Sequence, residues 1–174
     1  SCPLVDEVVH LRQQVITDPL TGLFNVRHFR EMLEQELERT QRTRMSTAVM
    51  MIDLDHFKRI NDSYGHERGD DVLRIVSSIF IDCFEHPNLV IRWGGEEFLF
   101  IVHEEDKHTV QRFIDLITTL LGQHKVSRER LKVTLSFGVT KWQKDMNFEE
   151  AVSQADQALY ESKRSGRDKV TYFD

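Results

Sequence analysis

The stretch VIRWGGEEFLF, residues 90–100, joins two apolar runs through Gly94, Gly95, Glu96 and Glu97. A tight turn needs glycine where the backbone takes positive φ. It does not need two adjacent carboxylates at the start of the second run. A second acid pair, Asp53 and Asp55, follows the apolar run 48–52. If that run is a strand beside the hairpin, Asp53 and Glu96 converge. Two unit charges about 4 Å apart repel by roughly 4 kcal/mol at an effective dielectric of 20. A divalent cation reverses the sign. A few oxygen ligands, with positions left for phosphate oxygens, describe a Mg²⁺ site. Such an ion lowers the pKa of an attacking hydroxyl and neutralises a leaving pyrophosphate. On this reading the glycines let a phosphate approach the backbone, and the acids hold its metal.

Plainer readings compete. The run DLDHFKRIND is not a calcium loop, because Phe57 and Lys58 stand where an EF-hand needs an acid and a glycine. Asp53 and Asp55 could instead cap a following helix, and Glu96 and Glu97 could be a solvated turn. The residues alone leave the metal site and the caps both open.

Positioning such acids requires strands that end where they stand. STAVMMIDLD reads as a buried strand running into Asp53, and residues 89–93 and 98–102 read as the hairpin. RLKVTLSFGVTKW and KVTYF supply two more strands. Helical spacing marks four segments: residues 25–42, with Val26, Phe29, Met32, Leu33 and Leu37 on one face; residues 69–84; about 108–121; and 147–166. A helix also begins near Phe57. Leu4, Val8, Leu11 and Val15 form an apolar stripe before Asp18-Pro19, and that proline disfavours helix at the residue before it. Residues 1–17 are therefore a helix, either the end of a signalling stalk or a helix lying on the domain. Residues 18–174 are expected to form one α/β (α+β) domain: a mostly antiparallel central sheet flanked by helices.

Bulk properties narrow the classes. The chain has 174 residues, 40% hydrophobic and 30% charged, which excludes a disordered chain. No apolar run is long enough to span a bilayer, and no signal peptide is visible. Cys2 and Cys83 lack metal-ligand spacing, which favours a reducing, cytoplasmic setting. A formal net charge of −6 argues against coating a nucleic-acid polymer or a membrane. A single nucleotide remains compatible with it.

The segment RWGGEEF (Arg92 to Phe98) resembles the signature of the GGDEF family, the diguanylate cyclases, in its GGEEF form. DPLTGLFN (18–25), DLDHFKRINDSYGHERGDDVL (53–73), LSFGVT (135–140) and ADQALYESKRSGRDKV (155–170) are similar to the family's other blocks, in order. The resemblance implies a palm-like sheet related to nucleotidyl cyclases and polymerases, and condensation of two GTP into cyclic di-GMP. It implies Asp53, Glu96 and the Leu54 backbone carbonyl as ligands of Mg²⁺, with Mn²⁺ the other candidate. Glu96 would activate the 3′-hydroxyl, with Glu97 beside it. Asn61 and Asp70 would read guanine, whose N1–H and 2-amino donors suit a carboxylate and have no counterpart at adenine N1. Lys58, Lys163 and Arg167 would meet the phosphates, together with backbone amides at Phe57 and Lys58. Simpler roles for Asp70, as charge at a helix N-terminus, and for the basic last turn before Gly166 stand beside these. His66 matches a position that could simply hold its loop.

The chain departs from the family pattern at two places. Relatives often carry R-x-x-D, a product-binding inhibitory site, where this chain has Glu85 and Asn88. An acid cannot clamp a phosphodiester as a guanidinium fork does. Val26 replaces a frequent arginine. The resemblance further implies a homodimer, since one GTP site per domain must make two equivalent bonds, and an upstream sensor outside this chain. The rival classes are a GGDEF-like module that binds GTP or cyclic di-GMP without turnover and a palm enzyme making a monomeric cyclic nucleotide.

Overall fold

The computed structural model describes residues 2–29, 32, 46–84, 88–104, 108–124, 131–143 and 145–174. Along the chain run α1 (Pro3–Ile16), β1 (Phe24–Asn25), β2 (Ser46–Leu54), α2 (Phe57–Tyr64) and α3 (His66–Cys83). They are followed by β3 (Leu89–Arg92), β4 (Glu97–Glu104), α4 (Thr109–Gln123), β5 (Leu135–Trp142), α5 (Phe148–Arg164) and β6 (Val170–Tyr172). The strands form one sheet in the order β1-β3-β4-β2-β5-β6. The three inner pairings are antiparallel, and only β1 on β3 and β6 on β5 are parallel.

Two-residue alternation along the strands divides the core. Ala48, Met50 and Ile52 of β2, with Phe98 and Phe100 of β4, face α3 residues such as Val72, Val76 and Phe80. Val49, Met51, Leu99 and Ile101 point the other way, onto Phe148, Ala151, Ala155 and Leu159 of α5. The continuous apolar runs of β2 and β4 thus follow from burial on both faces. Gly138 permits a close approach of helix to strand. A Cβ there would lie 2.2 Å from the Ala155 carbonyl oxygen and the Leu159 nitrogen, so the α5 backbone rests directly on β5.

Several sequence expectations change. Residues 26–29 are helical and follow β1, which helical periodicity had absorbed; most of the remainder of the expected 25–42 helix lies outside the described residues. The helix expected from residue 69 begins at His66, because Gly65 at φ 88 breaks the chain between α2 and α3. Asp70 therefore sits beyond the first turn, which weakens its reading as N-terminal charge. On α1, Leu4, Val8 and Leu11 are all exposed. These three side chains are not packed against the domain. Among the described residues no helix is long and apolar enough to cross a membrane.

Candidate active site

β2 and β4 pair in a register that sets Asp53 opposite Glu97, and the Leu54 amide donates to the Glu96 carbonyl at 3.2 Å. The acids of the hairpin are thereby brought to the end of β2. The Glu96 carboxyl lies within hydrogen-bonding reach of Asp53, and its pKa is raised by burial and by that neighbouring charge, with Lys163 partly offsetting the rise. Glu97 is raised by burial and by Asp53. Lys163, near the end of α5, reaches across to form an ion pair with the buried Asp53. Asp156, two turns earlier on α5, is also raised by desolvation, offset by Lys163. The Lys163 ammonium thus pairs with Asp53 and lends its charge to Glu96, Glu97 and Asp156 at longer range.

An open cleft of about 490 Å³ is lined by residues 53–59, from Asp53 through Lys58 to Arg59, and by Asp62, Glu96, Lys163 and Arg167. His56, at φ 56, makes a left-handed turn that swings the chain from β2 into α2 and puts the first turn of α2 on the rim. Among the described residues Lys58, Arg59 and Arg167 have no side-chain hydrogen bond or ion pair, which leaves three cations uncommitted beside the acids.

Other predicted site residues lie outside this lining. Asn61 and Asp70 are half-buried and flank the α2–α3 crossing, where a Cβ on Gly69 would fall 1.9 Å from Asn61 Oδ1. That Oδ1 is buried without a hydrogen-bond partner among the described residues, the condition expected of a group that waits for a donor. His66 is exposed at the start of α3. Gly94 and Gly95 are not in the left-handed region, so positive φ is not why they are glycine. A Cβ on Gly94 would crowd Glu97 Oε2 at 3.2 Å, whereas one on Gly95 would project into open space.

Neither acid of the 53/55 pair caps α2. Its N-cap is His56, with no side-chain bond. Asp55 accepts from Thr134 Oγ1 at 2.7 Å, Ser136 Oγ at 2.6 Å and the Asp168 amide at 3.0 Å, so although it borders the cleft its carboxylate is taken up by protein donors. Among the described residues no three His, Cys, Asp or Glu side chains are grouped to hold a metal. The predicted set, Asp53 and Glu96 with the Leu54 carbonyl, contains only two carboxylates, which suits an ion completed by phosphates and water rather than a protein cage. The donor chemistry fits a divalent cation: both carboxylates are desolvated, they repel each other, and Lys163 already supplies a cation between them.

Sequence reasoning also missed a brace. Arg92 donates to both Asp18 oxygens at 3.1 and 3.0 Å and to the Gly95 carbonyl at 2.8 Å, tying the turn after α1 to the glutamate-bearing turn. Burial raises the Asp18 pKa, but Thr21 and Arg92 outweigh it and hold the carboxyl below its ordinary value. An Asp-Pro turn signal accounts for Asp18 locally, so nothing in the sequence pointed to a partner 74 residues away.

Comparison with known proteins agrees with the resemblance. The family described as "Diguanylate cyclase, GGDEF domain" matches residues 15–169. Diguanylate cyclase DgcP of Pseudomonas aeruginosa is 35% identical over 161 residues, covering 91% of this chain and 24% of DgcP. The chain thus spans about a quarter of that relative's length. The crystal structure of the coiled coil and GGDEF domain of DgcB from Caulobacter crescentus, in complex with c-di-GMP, superposes with a TM-score of 0.90. It is 29% identical and covers 97% of this chain and 91% of that one. Diguanylate cyclase SiaD from Pseudomonas aeruginosa, solved with its activator SiaC, gives a TM-score of 0.86 at 36% identity, covering 97% and 66%.

Proposed function

The chain belongs to the GGDEF family of diguanylate cyclase domains, and from that premise we propose that it condenses two GTP into cyclic di-GMP with release of two pyrophosphates. The observation that carries this is one cleft holding the Asp53–Glu96 pair together with Lys58, Lys163 and Arg167. Acids without cations would suit a structural ion; acids beside Lys58, Arg59, Lys163 and Arg167 suit a triphosphate.

A divalent cation, Mg²⁺ or Mn²⁺, would be held by Asp53, Glu96 and the Leu54 carbonyl, and when bound it neutralises phosphate charge as a Lewis acid. Lys58 and Arg167, without side-chain partners among the described residues, bind phosphate oxygens, and Lys163 shifts from Asp53 toward them. The first amides of α2, at Phe57 and Lys58, add donors at a helix N-terminus. Gly95 leaves space for a phosphate, and Gly94 leaves space for the Glu97 side chain. Asn61 and Asp70 read guanine through its 2-amino and N1–H donors, with His66 holding the adjoining loop. The Glu96 carboxylate accepts the 3′-hydroxyl proton.

Each domain offers one such site, so closing two equivalent phosphodiesters takes two domains about a two-fold axis. Positioning of the two nucleotides then supplies much of the acceleration. The α1 stripe supports this pairing: Leu4, Val8, Leu11 and Val15 are spaced 4-3-4, with valine and leucine alternating as in a parallel two-stranded seam. An upstream sensor would act through that helix.

The test is incubation with GTP or ATP and Mg²⁺, with chromatography of the products. GTP should yield cyclic di-GMP, ATP should yield no cyclic product, and Glu96→Ala should abolish turnover. GTP binding without product, at concentrations where the chain dimerises, would favour the non-catalytic module. A monomeric cyclic nucleotide would favour the other palm chemistry.

A further inference from the structure

We propose that Asp55 is a positioning residue for nucleotide binding: its carboxylate pins the turn that aims Arg167 into the cleft. The inference rests on the reading above that Arg167 meets the triphosphate. Asp55 borders the cleft beside Asp53, but its carboxylate is committed to protein donors. It is 5% exposed, and it is saturated by the hydroxyls of Thr134 and Ser136 and by the Asp168 amide.

The bond to Asp168 is the informative one. Gly166, Arg167 and Asp168 follow one another at φ 119, 63 and 49. Two successive non-glycine residues in the left-handed region are costly, and such a conformation persists only where its surroundings over-determine it. Two bonds do so here. Ser162 of α5 accepts from the Arg167 amide through its carbonyl at 2.9 Å, and Asp55 accepts from the Asp168 amide at 3.0 Å. The first bond is local to the helix end. The second ties the turn to the end of β2, two residues from Asp53. Asp55 thereby fixes the distance between the arm that carries the acids and the arm that carries a phosphate-facing cation. Without it the turn is free to relax toward negative φ, and Arg167 leaves the cleft.

A double-mutant cycle on affinity for a non-hydrolysable GTP analogue in Mg²⁺ tests this, with kcat and KM measured alongside. Arg167→Ala should weaken binding roughly tenfold, the scale of one charge-assisted contact. Asp55→Asn, which keeps the shape but forfeits at least one bond, should weaken binding by a comparable factor and raise KM more than it lowers kcat. In the Arg167→Ala background the same change should cost less than about twofold, because the group it positions is already gone. Equal weakening in both backgrounds, or none in either, overturns the positioning role. If Arg167→Ala leaves affinity unchanged, the phosphate reading of Arg167 falls, and the role of Asp55 falls with it. Should Asp55→Asn fail to fold, Asp55→Glu, which displaces the carboxylate by one methylene, carries the same cycle with the same outcomes.

Discussion

Glu96→Gln should make the nucleotide-free protein more stable while abolishing product formation. The Glu96 and Asp53 carboxyls lie within hydrogen-bond reach, where two full charges repel by roughly 4 kcal/mol at an effective dielectric of 20. Lys163, paired with Asp53, cancels part of this, and solvent in the open cleft screens much of the rest. About 1 kcal/mol of net strain is a reasonable remainder. The sign with pH follows from the raised pKa. Between the ordinary glutamate value of 4.5 and the higher folded value, the folded state retains a proton that the unfolded state has lost. Stability therefore falls as pH rises through that window, and the penalty is complete above it. Glutamine carries no such penalty. At pH 8 in EDTA, Glu96→Gln should melt a few degrees higher, since about 1 kcal/mol corresponds to roughly 2–4 °C at this size. At pH 4 the two proteins should coincide. Mg²⁺ reverses the order, because an ion at ten times its Kd stabilises the wild type by about 1.4 kcal/mol and the variant has lost a ligand. Urea or thermal unfolding at pH 4, 6 and 8, with and without Mg²⁺, reads all three effects. A variant no more stable than wild type at pH 8, or equally advantaged at pH 4, would refute the like-charge account of this site.

Gly138→Ala should cost about 3 kcal/mol in urea unfolding, because its Cβ meets backbone atoms of α5 that cannot rotate away. Its GTP affinity should fall too, since α5 carries Lys163. Asp18→Ala should cost about 2 kcal/mol, as charge-assisted bonds to Arg92 and Thr21 are lost. Because the Asp18 pKa is depressed, its contribution holds above the ordinary value of 3.8 and disappears as pH falls through the folded value, so the two denaturation midpoints should converge in acid. Product inhibition through residues 85–88 should be absent. Glu85 lies outside the described residues, and Asn88 Oδ1 accepts from the His103 amide at 2.9 Å. Glu85→Ala should change inhibition of turnover by cyclic di-GMP less than about twofold, having no cation to remove; a tenfold change would show that the site exists.

Much of the site was legible because its signals are local. The five-residue apolar runs 48–52, ending at Asp53, and 98–102, opening after Glu97, read as strands buried on both faces, and strand ends are where such folds place chemistry. The turn chemistry was harder. Gly94 and Gly95 look like residues chosen for positive φ, yet the positive-φ glycines are Gly22, Gly65 and Gly166. Spacing also grouped Asp53 with Asp55, and both border the cleft, yet one pairs with Lys163 while the other holds β5 and the turn after α5. Residue type and interval are identical for a ligand and for an anchor, and only their surroundings separate them.

Sequence by itself determined the elements, the alternation of core faces, the acids and cations, and the family to which they point, because each is written within a few residues of chain. Tertiary structure alone decided which of these groups meet: Lys163 with Asp53 across 110 residues, Arg92 with Asp18 across 74, and Asp168 with Asp55 across 113. Pairing register and helix packing set those encounters, and both depend on the summed burial of distant side chains rather than on any local pattern.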